Sequence, residues 1–482
     1  MKKSIIKLLL VSCFCTSCSD FLTENPRHSM TAENAVTSYS GAVNIVNGIY
    51  GVYQTRGSYL GGQLYGALHC MAGLWEYNST MYNMGYSQSA VDYTITSTWS
   101  AIYGCINAAN AAIEGISSLD VSNYPSEEEK NRLLAEARCF RGYCNLELMW
   151  LFARWFDSAE SPYGIIYRDK SAELSNLMVG RSTVGQSYQY IIDDLSFAAQ
   201  HLGDYDSARR MSKQFAQFML AKMYLVRGWE GDYAESLKLV NAIFDGAPAT
   251  FQMETDLTNL YANGWESKEV LFSRYLGDRM GDYSGMSGSE FIYSYALFYD
   301  HEFTEIPQKW LEDDARASIF FGTARAPETW DTQTKEKVLV KLYHRGRYEG
   351  KNDMYATYPC RYAELYLMKA ELLARTNPSN IEAALKPLND MREKYTNPVL
   401  EKISVNSYEE LMDAIFKEYV VTLFMENETP WFASLRFTKD GKPWINSFKP
   451  DVNFSSNQYC WPIPDDEIKS HSNKIEQNPG LE

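Results

Sequence analysis

The sequence predicts a mostly α-helical protein, and three observations carry that expectation. Capping boxes led by serine or threonine recur along the chain. Apolar residues return at helical spacing behind them, and two stretches read as a helix, a tight turn and a returning helix. Of the 482 residues, 45% are hydrophobic and 14% aromatic, which is enough to bury a large core.

Taken in order, the chain opens with Lys2 and Lys3, an apolar run from Leu8 to Phe14, and Thr16-Ser17-Cys18. A positive start, a short apolar segment and small residues before a cysteine read as an export signal over residues 1–17 that is cut away. The run is too short for a hydrocarbon core, which needs about 20 residues. Cys18 after two small residues resembles the lipobox of bacterial lipoproteins, with Cys15 standing where Leu is usual. On that reading Cys18 becomes the lipidated first residue of the mature chain, and residues 18–30, polar and interrupted by Pro26, form a tether.

The Ser126/Glu129 box starts a helix whose apolar positions, Ala137, Cys144, Leu148 and Leu151, continue to about Phe156. Thr183 with Gln186, Ser379 with Glu382, and Ser407 with Glu410 repeat the signature. In the first helix pair Phe215, Met219, Met223 and Val226 line one face, Gly228 to Tyr233 turn the chain, and Ala234 to Phe244 return. In the second, Ala363, Leu367, Ala370 and Ala374 line a face, Asn377-Pro378 breaks the helix, and Ile381 to Tyr395 return. Helix, turn and returning helix at about 34 residues per unit is the mark of tetratricopeptide repeats. Such units stack because none buries its apolar face alone. Three long insertions, about 57–94, 246–361 and 438–461, read as irregular and are rich in Gly, Ser, Asn, Tyr and Trp.

A net charge of −16 argues against nucleic acid as a partner. Cys70, Cys105, Cys139, Cys144, Cys360 and Cys460 form no CxxC pair and read as buried thiols, with one or two disulfides left open by export. The scattered histidines His28, His69, His201, His301, His344 and His471 give no metal spacing. No nucleotide or dinucleotide loop, serine elbow or EF-hand pattern is present, so no cofactor is expected, and a structural calcium ion is left open. A glycosidase needs two carboxyl groups roughly 5–9.5 Å apart across the bond. Asp193-Asp194, Asp313-Asp314 and Asp465-Asp466, as neighbours on one segment, do not supply that. The chain therefore reads as a non-enzyme.

A series of blocks follows one order along the chain. Cys18-Ser19-Asp20-Phe21-Leu22 with Pro26 comes first, then Trp99 to Tyr103 with Ile106 to Asn110, and Ala135 to Arg138 with Arg141-Gly142-Tyr143. Arg361 to Glu364 with Met368 to Glu371, Leu388 to Arg392, Glu418, Glu426, Trp431-Phe432 and Leu435-Arg436 come next. Trp461 to Pro464, Glu467-Ile468 and Gln477 to Gly480 close it. This order resembles the SusD/RagB family of Bacteroidetes outer-membrane lipoproteins. The resemblance implies about four tetratricopeptide-like pairs packed on an irregular, loop-rich C-terminal part. It divides the mature chain into an N-terminal helical region, 31–300, and a C-terminal SusD/RagB region, 301–482. It also implies a surface lipoprotein that binds glycan and sits as a lid on a SusC-like TonB-dependent transporter. The chain departs from the family at Tyr419-Val420-Val421, where a basic run is usual, and at Thr429-Pro430 before Trp431.

Many of these blocks have an architectural reading. Arg361 with Glu364, and Glu418 or Glu426 with Arg436, read as ion pairs, and Asp465 or Asp466 as a helix N-cap. Trp99, Trp150, Trp155 and Trp431 read as core, and Trp444 is unassigned. Aromatic loops are the positive functional signal, because flat side chains stack on the C–H faces of sugars while amides and carboxylates hold the hydroxyls. The first insertion offers Trp75, Tyr77, Asn78, Tyr82 and Tyr86, and the second Trp265, Tyr283, Tyr293 and Tyr295. Ligand contact and pinning of the loop are both open readings for Trp75 and Tyr82. Arg274 reads either as a salt-bridge partner or as a holder of an acidic sugar or peptide carboxylate. Peptide cargo and a scaffold without nutrient ligand are the rival functions.

Overall fold

The computed structural model describes residues 36–56, 62–76, 89–274, 302–303, 305–325, 334–339, 341, 356–450, 454–471 and 475–481. The signal, Cys18 and the tether lie outside the described residues. Helix α1 (Tyr39–Arg56) is followed by α2 (Gly62–Met71) and strand β1 (Trp75–Glu76). Then come α3 (Tyr93–Ser118), α4 (Glu127–Phe152), α5 (Val184–His201), α6 (Lys213–Arg227) and α7 (Asp232–Gly246). The middle of the chain holds α8 (Leu257–Asn263), β2 (Val270–Phe272), β3 (Glu302–Phe303), α9 (Glu305–Glu312), α10 (Ala317–Phe320), β4 (Phe321–Arg325), β5 (Thr334–Leu339) and β6 (Cys360–Arg361). The last part has α11 (Tyr362–Thr376), α12 (Ile381–Lys394), α13 (Tyr408–Thr422), α14 (Thr429–Arg436), β7 (Thr438–Lys439), β8 (Lys442–Pro443), α15 (Ile445–Phe448) and α16 (Asp465–Ser470).

Successive long helices pack side by side, giving the pairs α1–α3, α4–α5, α6–α7 and α11–α12, with α5 against α6 and α7 against α11. This is the expected stack, in which each pair covers the apolar face of the next. The first predicted hairpin forms as read. Gly228 (φ +64°) ends α6 and Gly231 (φ +87°) starts α7, both in the left-handed region that a side chain disfavours. Between α4 and α5 a Cβ on Gly142 would stand 3.0 Å from the Leu195 side chain, so the lack of one sets the approach of those helices.

The capping boxes are realised with differences. Thr183 and Gln186 form the full reciprocal box. Ser126 accepts from the Glu129 amide, but the Glu129 carboxylate turns to Arg132 and Tyr39. At α12 the cap is Asn380, one residue beyond the expected Ser379, whose hydroxyl bonds Asn377 instead. Helix α16 begins at Asp465 with Pro464 in the cap position and no side-chain cap bond, so neither Asp465 nor Asp466 is the N-cap. The helix expected to run to Phe156 stops at Phe152, with Ala153 extended. The insertions are less irregular than expected: the first holds α2 and β1, the second α8–α10 and β2–β6, and the third β7, β8 and α15. These elements are too short to leave a periodic signature in an aromatic-rich background.

The core unites the two parts. Trp99, Trp150, Trp155 and Trp431 are buried as read, and Trp444 joins them against Phe416. The six cysteines are free and buried. Trp150 meets Phe432 at 5.0 Å between ring centroids, Trp155 donates to the Tyr459 carbonyl at 3.2 Å, and Asn478 donates to the Phe152 carbonyl at 2.9 Å. No described helix is long and apolar enough to cross a membrane.

Candidate functional site

The two aromatic insertions share a root. Strands β1 and β3 pair antiparallel, Trp75 opposite Phe303 and Glu76 opposite Glu302. Paired strands lie roughly 5 Å apart, so the chain leaving Glu76 and the chain arriving at Glu302 are neighbours. Tyr77, Asn78, Tyr82 and Tyr86 follow the first strand, and Tyr283, Tyr293 and Tyr295 precede the second; all seven lie outside the described residues. Of Trp75 the structure gives the backbone register.

The root is held by buried groups. Helix α2 brings Leu64 to Leu74 into the core directly before β1. On it, His69 Nε2 accepts from the Met425 amide at 2.9 Å, and Nδ1 lies 2.8 Å from the Tyr65 carbonyl. The neutral ring therefore carries its proton on Nδ1. Burial pushes the His69 pKa down to about 4. Met425 takes the left-handed backbone (φ +60°) to present that amide. Lys449 Nζ donates to the Cys70 carbonyl at 2.6 Å. At the start of the second insertion, Arg274 is fully buried, donates to the Gln54 carbonyl at the end of α1 at 2.8 Å, and ties its amide to Thr357 Oγ1 at 3.0 Å. Of the two readings of Arg274, the ligand-facing one meets a guanidinium turned inward.

Trp265 also departs from the expectation of an outward ring. It is 5% exposed, and the Arg209 guanidinium lies 3.6 Å over its ring centroid. The turn that closes α8, with Gly264 at φ +52°, carries the indole to Arg209, a residue distant in the chain.

The core also holds a set of buried ion pairs that spacing alone could not assign. Glu426 takes Arg361 Nε at 2.6 Å, Lys341 Nζ at 2.9 Å and the Tyr261 hydroxyl at 2.7 Å. Glu418 takes Arg316 and Arg392, each at 2.6 Å. Arg436 pairs with Glu371, and Glu364 with Lys222, which also holds Glu428. The expected residues are all paired, but with other partners than Arg361–Glu364 and Glu418 or Glu426–Arg436. Burial alone would raise the Glu426 carboxyl, yet Arg361 and Lys341 hold it below its usual range. Burial carries Lys341 down to about 8 despite that carboxylate. The acidic neighbours are likewise structural, with Asp194 on Arg138 and Arg141, Asp314 on Arg316, and Asp465 on Lys469. Among the described residues no group of three or more His, Cys, Asp or Glu is placed to hold a metal ion.

Comparison with known proteins matches both ends of this arrangement. A family model described as starch-binding and associating with the outer membrane matches residues 20–225, and one described as the SusD family matches 312–481. The chain belongs to the SusD/RagB family. SusD-like protein P2 of Formosa agariphila is 25% identical over the whole of both chains. A SusD-like protein of Bacteroides ovatus is 22% identical over 80% of this chain and 72% of its own. Among solved structures, a SusD superfamily protein from Bacteroides thetaiotaomicron superposes with a TM-score of 0.71 at 21% identity, over 92% of this chain and all of its own. A SusD-like carbohydrate binding protein from Bacteroides vulgatus does so with 0.65 at 19%, over 81% of this chain and 82% of its own. At such identity these structures speak to the fold, the mostly helical repeat layer with a loop-rich C-terminal part.

Proposed function

We propose that this SusD/RagB protein is a non-catalytic, cell-surface glycan-binding lipoprotein of the outer membrane. It captures oligosaccharides or polysaccharides and delivers them to a SusC-like TonB-dependent transporter. The observation that carries the reading is the β1–β3 ladder, which roots both tyrosine-rich insertions side by side. Tyrosine-rich loops that leave neighbouring strands suit a sugar, whose two C–H faces each accept stacking. The family description and the name of the Bacteroides vulgatus structure support the ligand class. Acyl chains on Cys18 would hold the protein at the membrane, each buried CH₂ contributing about 0.8 kcal/mol.

Purified protein applied to a glycan array and to a peptide mixture tests the cargo, and a response to peptides alone overturns the reading. Replacing Trp75, Tyr77 and Tyr82 together by Ala is expected to abolish glycan binding while leaving the melting temperature unchanged. Chromatography of incubated glycans should show no cleavage. Labelled palmitate is expected on Cys18, and external protease should reach the protein on intact cells.

A further inference from the structure

A concavity lined by none of the ladder residues lies along α3. It encloses about 440 Å³ between Trp99, Tyr103 and Asn107 of α3, the segment from Arg168 to Met178, and Glu467 and His471 at the C-terminal helix α16. Ligand sites fall at about 300–1,000 Å³, with mostly apolar walls and a few convergent polar groups. This cleft has that make-up.

Its walls are fixed before any ligand arrives. Asn110 Nδ2 donates to the Arg168 carbonyl at 2.9 Å and to the Lys170 carbonyl at 3.0 Å. Asn107 Oδ1 accepts from the Ala172 amide at 2.7 Å, and the Tyr103 hydroxyl donates to the Ile166 carbonyl at 2.8 Å. On the far side Arg168 Nη2 donates to the Leu177 carbonyl at 2.9 Å, and His471 Nε2 lies 3.0 Å from the same oxygen. Helix α16 is placed in turn by the Asp465 amide, which donates to the Ala90 carbonyl at 3.1 Å.

The charge of the lining runs against the chain. In a protein of net charge −16 the cleft presents Arg168 and Lys170 against the single carboxylate of Glu467, which is 3.9 Å from Arg168. Lys170 Nζ makes no hydrogen bond or ion pair among the described residues, and the residue is exposed. Leu177 and Met178 at the mouth are 38% and 50% exposed, an apolar rim that water covers poorly. A tyrosine, a tryptophan, an apolar rim, an asparagine and an ammonium group unpaired among the described residues together match a pyranose bearing a carboxylate.

We propose that this cleft binds a uronic acid residue of an acidic saccharide, at a site separate from the one rooted at the β1–β3 ladder. The inference takes from the glycan reading only the chemical class of ligand. The ring lies against Tyr103 and Leu177, the carboxylate meets Lys170, and Asn107 meets a hydroxyl.

Titration of the full chain with galacturonate and with galactose, followed by NMR, tests the assignment. Galacturonate is expected to bind about tenfold tighter than galactose and to weaken with added salt. Lys170→Gln should remove that preference while circular dichroism stays unchanged, and Tyr82→Ala in the first insertion should leave it intact. Absence of galacturonate binding, indifference to Lys170→Gln, or loss with Tyr82→Ala each overturns it. Glycan-array binding without galacturonate binding sinks the cleft alone. Galacturonate binding with a silent array sinks the insertion site alone.

Discussion

Arg361 touches Glu269, Glu426 and the Thr422 carbonyl, all in the interior. Removing it leaves two buried carboxylates short of a cation, and breaking such pairs costs about 3–5 kcal/mol. Arg361→Gln is expected to lower stability by that order in denaturant titration; a loss below about 1 kcal/mol, the scale of an exposed pair, would show the network to be solvated. His69 gives a pH dependence. Its ring stays neutral in the fold because burial carries the pKa from 6.5 to about 4. The unfolded chain takes up a proton below pH 6.5 while the folded one does not, so stability rises with pH across this window and falls on acidification. The full shift, from 6.5 to about 4, is worth about 3 kcal/mol at 1.36 kcal/mol per unit. The difference between wild-type and His69→Gln pH profiles isolates this group from the buried carboxylates. That difference should change between pH 6.5 and 4 and be flat above 7; a flat difference throughout would refute the assignment.

At the scale of elements, the helix pairs depend on close approach. Gly142 on α4 faces Leu195 and Asp194 of α5 so closely that a Cβ would stand 3.0–3.1 Å from their side chains. Asp194 also binds Arg138 and Arg141 of α4, so the interface couples packing to charge. Gly142→Leu is expected to destabilise by about 1–3 kcal/mol through overpacking, although a helical glycine replaced in solvent would gain stability. Thermal melts of the variant decide between those signs. Elements of this kind were legible in the sequence where the apolar period was long: α4, α6, α7, α11 and α12 all follow their stripes. Helix α2, with ten residues, and the two-residue strands β1 and β3 were not. Their existence depends on partners far along the chain, and pairing across more than two hundred positions leaves no local trace.

At the scale of the whole molecule, the division at residue 300 is crossed by many ties. Strand β2 pairs with β6, α7 packs on α11, and Lys222 of α6 binds Glu364 and Glu428. The C-terminal segment returns to α4 through Asn478 and Trp461. Scanning calorimetry is therefore expected to show one cooperative transition rather than separate melting of 31–300 and 301–482. Two resolved transitions would mean these contacts do not couple the halves.

The sequence alone determined the helical class, the stacked pairs, the buried tryptophans and cysteines, and the aromatic character of the insertions. Each follows from residue type and near-neighbour spacing, which local physics reads directly. Only the tertiary structure decided that the roots of the two insertions lie side by side, that Trp265 and Arg274 turn inward, and which carboxylate answers each arginine. Those outcomes are set by contacts between residues distant in the chain. Burial makes such contacts all-or-none, because a charge or ring removed from water must find its partner wherever the fold places it.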